Sequence, residues 1–125
     1  MTGAGADAVK VLVVEDETFV ALDLVMQLED EGFECYEPCS SVDGALEFLE
    51  TNDPDIAILD ANLRGETPRR IAEALRSKGI PFVYVSGYGW DYISRQLPVA
   101  PLVAKPVRMT FLLNEMSAAL GARSG

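Results

Sequence analysis

An apolar run that ends in two acids, KVLVVED at residues 10–16, decides the fold class of this 125-residue chain. A short continuous apolar run is typical of a strand buried on both faces. From Ala21 the pattern changes to apolar residues at i, i+3, i+4 and i+7, which form one face of a helix, and Gly32 suits its end. The stretch therefore predicts a β-strand followed by a helix.

The same strand-then-helix unit recurs along the rest of the chain. Further strands are predicted at 33–37, 56–59, 82–85 and 102–104, and further helices begin after Ser41, Pro68 and Val107. Charged residues alternate in the strand at 33–37, which suits the edge of a sheet. Glycines and prolines interrupt residues 87–101, so we expect at most a short helix there, around 90–96.

Five such units predict the α/β class, with a flavodoxin-like, doubly wound parallel sheet of five strands. The predicted strand order is 2-1-3-4-5, and helices cover both faces of the sheet. The length suits one domain, which we place at residues 8–121 between flexible termini at 1–7 and 122–125. A hydrophobic fraction of 49% is enough for a packed core.

The composition argues against several classes of function. A net charge of −10 disfavours binding to nucleic acid and to anionic membrane surfaces, since both attract basic residues. No apolar run reaches the roughly 18 residues of a membrane span, and no signal-peptide pattern opens the chain, so we expect a cytoplasmic protein. Cys35 and Cys39 would lie about 13 Å apart in one extended strand and are expected to be reduced thiols. Because the chain has no histidine, Ser–His catalysis is excluded.

Polar side chains follow four of the predicted strands. Glu15 and Asp16 end the first strand, Asp60 the third, Ser86 the fourth and Lys105 the fifth. In the predicted order the first and third strands are neighbours, so the three carboxylates should meet in one cleft and raise each other's pKa unless a cation offsets them. Mg²⁺ prefers such oxygen ligands. The pattern predicts Mg²⁺-dependent phosphoryl transfer to one of these carboxylates, with Lys105 and Ser86 contacting phosphoryl oxygens.

Taken together, these segments resemble the receiver domain of two-component response regulators, over about residues 8–121. The matching segments are 11–17, 58–63, 86–87 and 105–106. The resemblance implies that Glu15 and Asp16 are the acidic pair that binds Mg²⁺. It also implies that Asp60 is the phosphoacceptor and a metal ligand, and that the backbone carbonyl of Asn62 completes the metal site.

The resemblance also assigns roles to Ser86 and Lys105, and the chain differs from the family pattern at Leu102. Ser86 matches the switch serine or threonine, and Lys105 matches the family's lysine, whose bond to the following proline is cis in the family. Receivers usually carry an aromatic residue where this chain has Leu102, and we hypothesise that Tyr88 takes over its reporting role. Residues 84–88 partly match the "FAT GUY" subgroup of stand-alone receivers known from alphaproteobacteria.

The function implied is a signalling switch that catalyses its own phosphorylation and dephosphorylation, and not an enzyme that turns over substrates. A histidine kinase or histidine phosphotransfer protein would supply the phosphoryl group, and a downstream protein partner would bind the altered surface. Two alternatives stay open. One is a small phosphatase with an aspartyl-phosphate intermediate, because Asp60-Ala61-Asn62 is similar to the Asp-x-Asp of haloacid-dehalogenase-like hydrolases. The other is a degenerate receiver that only binds partners.

Overall fold

The computed structural model describes residues 8–124, which alternate between strands and helices. The strands are β1 (Lys10–Val14), β2 (Glu34–Cys35), β3 (Ile56–Asp60), β4 (Phe82–Ser86) and β5 (Leu102–Ala104). The helices are α1 (Thr18–Asp30), α2 (Val42–Thr51), α3 (Arg69–Lys78), α4 (Trp90–Ile93) and α5 (Met109–Ser124). Each predicted strand is present, although β2 is shorter than the predicted 33–37.

All five strands run parallel in the order β2-β1-β3-β4-β5, which confirms the predicted topology. In the register of β1 with β3, Val14 lies opposite Leu59. In the register of β3 with β4, Asp60 lies opposite Val85. Because parallel strands end at the same edge, the residues that follow β1, β3, β4 and β5 share one end of the sheet.

Successive strand residues face opposite sides of the sheet and build two hydrophobic cores. One core lies under α2 and α3 and includes Leu12, Val14, Ala57, Leu59 and Tyr84. The other lies under α1 and α5 and includes Val11, Val13, Ile56, Ile58 and Val83. Both faces are therefore covered by helices, as predicted for a doubly wound sheet.

The helix ends largely follow the sequence signals. The Ser41 side-chain oxygen accepts a hydrogen bond from the backbone N–H of Gly44 at 3.0 Å and caps α2. Gly79 ends α3 with φ of 72°, a left-handed conformation that glycine adopts without steric cost. Cys35 lies in β2 and Cys39 lies between β2 and α2. Both are free thiols, and burial raises the pKa of Cys35 to about 11.

The predicted ends of the domain need one correction. α5 continues through Ser124, so residues 122–124, assigned to a flexible tail, are helical. The last turn includes Ala122, a good helix former, beyond the predicted domain end at residue 121. Residues 1–7 and Gly125 lie outside the described part of the chain. Within residues 8–124 no helix combines the length and apolar character needed to cross a membrane.

One buried tyrosine ties β4 to the irregular segment that follows α4. The ring of Tyr84 is fully buried, with its centroid 5.5 Å from that of Phe82 and 6.2 Å from that of Trp90. Its hydroxyl donates a hydrogen bond of 2.7 Å to the backbone carbonyl of Pro98. Burial raises the pKa of Tyr84 above its ordinary value, so the hydroxyl remains a donor. Leu102 lies opposite Tyr84 in the β4–β5 register.

We predict that Tyr84→Phe lowers the free energy of unfolding by about 1–2 kcal/mol, because the Pro98 carbonyl loses its buried donor while the ring contacts remain. Urea denaturation followed by circular dichroism measures the change. The control is Tyr92→Phe, which removes a hydroxyl from an exposed ring. Equal stability of the two variants would contradict the structural role of this hydrogen bond.

Candidate functional site

The three carboxylates predicted from the strand ends meet in one cluster. Glu15, Asp16 and Asp60 each offer an oxygen atom, and these atoms lie within 4.8 Å of one another. Glu15 and Asp60 are each only 5% exposed, whereas Asp16 is half-buried. Clustered hard oxygen donors that are partly open to solvent suit Mg²⁺, which keeps several waters when it binds. The donor set therefore fits the cation that the sequence predicts.

Lys105 brings a positive charge to two of these carboxylates. Its backbone N–H donates to the Ser86 carbonyl at 2.9 Å, which places the residue at the end of β5 beside β4. Its Nζ lies 3.0 Å from Asp60 Oδ2 and 3.3 Å from Glu15 Oε1. Burial alone would lower the pKa of Lys105, but the hydrogen bonds and charges of Asp60 and Glu15 raise it above its ordinary value. The Lys105 side chain therefore stays positively charged and partly neutralises the charge of the carboxylates.

The surroundings of Glu15 disfavour its charged form. Burial raises the pKa of Glu15 to about 7, and its hydrogen bond with Asp60 and the charge of Asp60 add to the effect. The backbone N–H of Glu17, which donates to Glu15 Oε2 at 3.1 Å, and the charge of Lys105 act in the opposite direction. The neighbouring Asp60 thus acts on the pKa of Glu15 in the predicted direction, although burial is the larger cause.

The loop after β3 holds the Asp60 carboxylate in place. Asp60 Oδ1 accepts a hydrogen bond of 3.0 Å from the backbone N–H of Asn62, and Oδ2 faces Lys105. The Asn62 side-chain oxygen in turn accepts from the backbone N–H of Gly65 at 2.8 Å. Asn62 thus lies beside the cluster, and the role of its own carbonyl as a metal ligand stays a prediction.

Ser86 ends β4 next to the same cluster and connects it to Tyr88. The Ser86 hydroxyl oxygen is buried and accepts a hydrogen bond of 2.9 Å from the backbone N–H of Tyr88. Both residues line a cavity of about 240 Å³ together with Asp16, Asp60 and Lys105. The Tyr88 ring is 60% exposed, so Ser86 links a buried site to an exposed side chain.

The chain also matches a known protein family. The model of the response regulator receiver domain matches residues 11–115 of the chain. The chain belongs to this family. The cis peptide bond between Lys105 and Pro106 agrees with the family resemblance. A receiver fold with its aspartate after the third strand gives no support to the phosphatase alternative, whose fold places the nucleophile after the first.

Several proteins of known structure or sequence are similar to this receiver. A receiver protein from Sinorhizobium medicae superposes with a TM-score of 0.81 at 28% identity, over 94% of this chain and 98% of that one. SdrG from Sphingomonas melonis superposes with a TM-score of 0.78 at 34% identity, over 96% of this chain and 99% of SdrG. The transcriptional regulatory protein PdtaR from Mycobacterium tuberculosis is 31% identical over 94 residues, which cover 70% of this chain and 46% of PdtaR. This receiver therefore spans about half the length of PdtaR.

The receiver also has a site residue that the sequence interpretation missed. Arg64 Nε lies 3.9 Å from Asp16 Oδ2, at the rim of the cluster. Reciprocal backbone hydrogen bonds of 2.8 and 3.0 Å between Leu63 and Glu66 make a tight turn, with Arg64 and Gly65 at its centre. The Arg-Gly pair after a strand is a turn signal, but nothing in the sequence indicates that the turn brings the guanidinium to Asp16.

We predict that Glu15→Gln stabilises the metal-free receiver at pH 8 and has little effect near pH 4.5. Because the pKa of Glu15 is raised to about 7 in the folded state, its contribution to stability is present at low pH and is lost as pH rises from about 4.5 through 7. Glutamine imitates the protonated carboxyl and removes this loss. Urea unfolding in a chelator between pH 4.5 and 8 measures the difference.

The control for this measurement is Glu50→Gln, which removes an exposed carboxylate from α2. Its stability should differ from that of wild type by the same small amount at every pH. If the free energy of unfolding of Glu15→Gln instead differed from that of wild type by the same amount at every pH, the pKa of Glu15 would not be raised in the folded state.

Proposed function

We propose that this receiver is a Mg²⁺-dependent phosphorylation switch whose phosphoacceptor is Asp60. The observation that carries the proposal is the position of Lys105 Nζ, 3.0 Å from Asp60 Oδ2, at the edge of a cluster of three carboxylates. A buried nucleophile, a fixed cation and a set of hard oxygen ligands are the components that phosphoryl transfer requires. The donor is a histidine kinase or a histidine phosphotransfer protein, as in the family.

The metal site would consist of Glu15, Asp16, Asp60 and the backbone carbonyl of Asn62. When bound there, Mg²⁺ supplies positive charge that offsets the carboxylates and the phosphoryl oxygens. The fit rests on the donor set, whose oxygens lie within 4.8 Å of one another. The raised pKa of Glu15, which comes mainly from burial and also from Asp60, shows that its carboxylate form is disfavoured, and a bound cation would favour that form.

The transfer itself needs little covalent help from the protein. A carboxylate oxygen of Asp60 attacks phosphorus, the P–N bond of the donor's phosphohistidine breaks, and the imidazole leaves with the bonding electron pair. The Asn62 N–H and Lys105 hold the Asp60 carboxylate in one orientation before the attack. Lys105 then neutralises one phosphoryl oxygen, and the Ser86 hydroxyl donates to another. Attack of water on phosphorus then breaks the bond to the Asp60 oxygen, releases inorganic phosphate and restores the free carboxylate.

The phosphoryl group would change the surface around Tyr88. When the Ser86 hydroxyl turns toward a phosphoryl oxygen, the hydrogen bond that it accepts from the Tyr88 N–H changes. The Tyr88 ring lies against that of Tyr92 in α4, with centroids 4.9 Å apart, so both exposed rings respond. Leu102 cannot report the state itself because it has neither ring nor hydroxyl. We propose that a downstream protein partner in the cytoplasm binds this surface, and the net charge of −10 suits a basic partner and not nucleic acid or membrane.

We predict that acetyl phosphate with Mg²⁺ adds one base-labile phosphate to wild type, that a chelator prevents the addition, and that Asp60→Asn gains none. Mass spectrometry of the intact protein and mapping of the modified peptide measure both results. The control is Asp30→Asn, which removes an exposed carboxylate at the end of α1 and should label like wild type.

The outcome also separates the alternatives. Equal labelling of Asp60→Asn would show that another residue accepts the phosphoryl group. A wild type that takes no phosphate and still folds would instead favour the degenerate receiver. Steady hydrolysis of p-nitrophenyl phosphate would favour the phosphatase.

We predict that beryllofluoride, a phosphoryl mimic, slows amide hydrogen exchange of residues 87–97 in wild type. Tyr88→Ala should accept phosphate at Asp60 as wild type does, yet show less of this protection, because the contact with Tyr92 is lost. Phe111→Ala, which removes an exposed ring from α5, serves as the control. A segment that is well protected in the metal-free protein and does not respond would rule out the role of Tyr88 and leave that of Asp60 untouched.

A further inference from the structure

We propose that Arg64 is a two-position side chain that competes with the metal for Asp16 in the resting receiver and pairs with the phosphoryl group once Asp60 is modified. The inference rests on the proposed function and assigns a phosphoryl-binding residue to the same site. Its basis is geometric. Arg64 Nε lies 3.9 Å from Asp16 Oδ2, and Arg64 also lines the cavity of about 240 Å³ that contains Asp60, Ser86 and Lys105.

The backbone at Arg64 is the first argument. Its φ is 54°, in the left-handed region, where a side chain with a Cβ costs free energy that glycine does not. The turn formed by Leu63 and Glu66 fixes this conformation and leaves Arg64 at the rim of the cavity. A long cationic side chain at a position that suits glycine or asparagine points to a role for its charge.

The second argument is the charge of Asp16. A cation that binds the three carboxylates needs an oxygen of Asp16, which already faces the guanidinium. Two positive charges at one carboxylate repel each other, so Arg64 must move away when the metal site fills. The Arg64 side chain is 74% exposed, and exposed ion pairs are weak, so the competition should change the metal affinity only about two- to fivefold.

The third argument concerns the position that Arg64 takes after leaving Asp16. The same cavity receives the phosphoryl group on Asp60, and Lys105 approaches Asp60 from its own strand end. A guanidinium matches two phosphoryl oxygens at once, which an ammonium cannot do. In the phosphorylated receiver, Arg64 is therefore a second cation beside Lys105. In the resting receiver it contacts Asp16 and not the carboxylates that Lys105 contacts.

The test uses Arg64→Asn, because asparagine tolerates a positive φ and removes only the charge and length. Calorimetric titration with MgCl₂ should show binding about two- to fivefold tighter than in wild type. Titration with beryllofluoride at saturating Mg²⁺ should show binding at least about threefold weaker, since one charge-assisted contact is lost. Arg64→Lys should restore part of both values. The matched control is Arg69→Gln, which removes an exposed arginine paired with Glu73 outside the cavity.

The opposite signs of the two changes distinguish this role from a structural one. Weaker binding of both Mg²⁺ and beryllofluoride would indicate a damaged site and overturn the inference. No change in either, in a protein whose wild type is labelled at Asp60, would overturn the inference and leave the proposed function standing. A wild type that binds neither Mg²⁺ nor beryllofluoride would overturn both.

Discussion

The contact of one ammonium group with two buried carboxylates is the constraint on which the site depends. Glu15 and Asp60 are almost fully buried, and burying two like charges side by side is costly unless a counter-charge lies within a few ångströms. Lys105 supplies that charge from the end of β5, two strands away from β3 in the sheet. The contact forms only if β1, β3, β4 and β5 lie in the observed order and register. The electrostatics of the site and the topology of the sheet therefore require each other.

The resting site is nevertheless short of positive charge. Lys105 contacts two carboxylates, and Arg64 makes a loose contact with the third. Burial is the main cause of the raised pKa of Glu15, and the hydrogen bond and charge of Asp60 add to it. This imbalance supports the proposed cation site, and the proposed phosphoryl group on Asp60 would change the same balance of charges.

Much of the site could be predicted from the sequence because it depends on strand ends. Asp60 and Lys105 come directly after apolar runs, and the ends of parallel strands converge whatever the loops do. The features that could not be predicted depend on loops and on single side-chain contacts. No local pattern indicates that the turn at Arg64 approaches Asp16, or that the Tyr84 hydroxyl reaches Pro98. The length of α5 was underestimated because its last turn lacks the apolar spacing that marks a buried helix face.

The hydrogen bond from Tyr84 to Pro98 has a mechanical consequence for the segment between β4 and β5. The segment begins beside Ser86, where glycines flank Tyr88, and it is fastened to the rigid sheet again at Pro98. A displacement that starts at Ser86 therefore cannot spread along the chain into β5, and it must be absorbed before the fastening point. The exposed rings of Tyr88 and Tyr92 lie between these two points, so the proposed displacement would have to be accommodated at the surface that carries them.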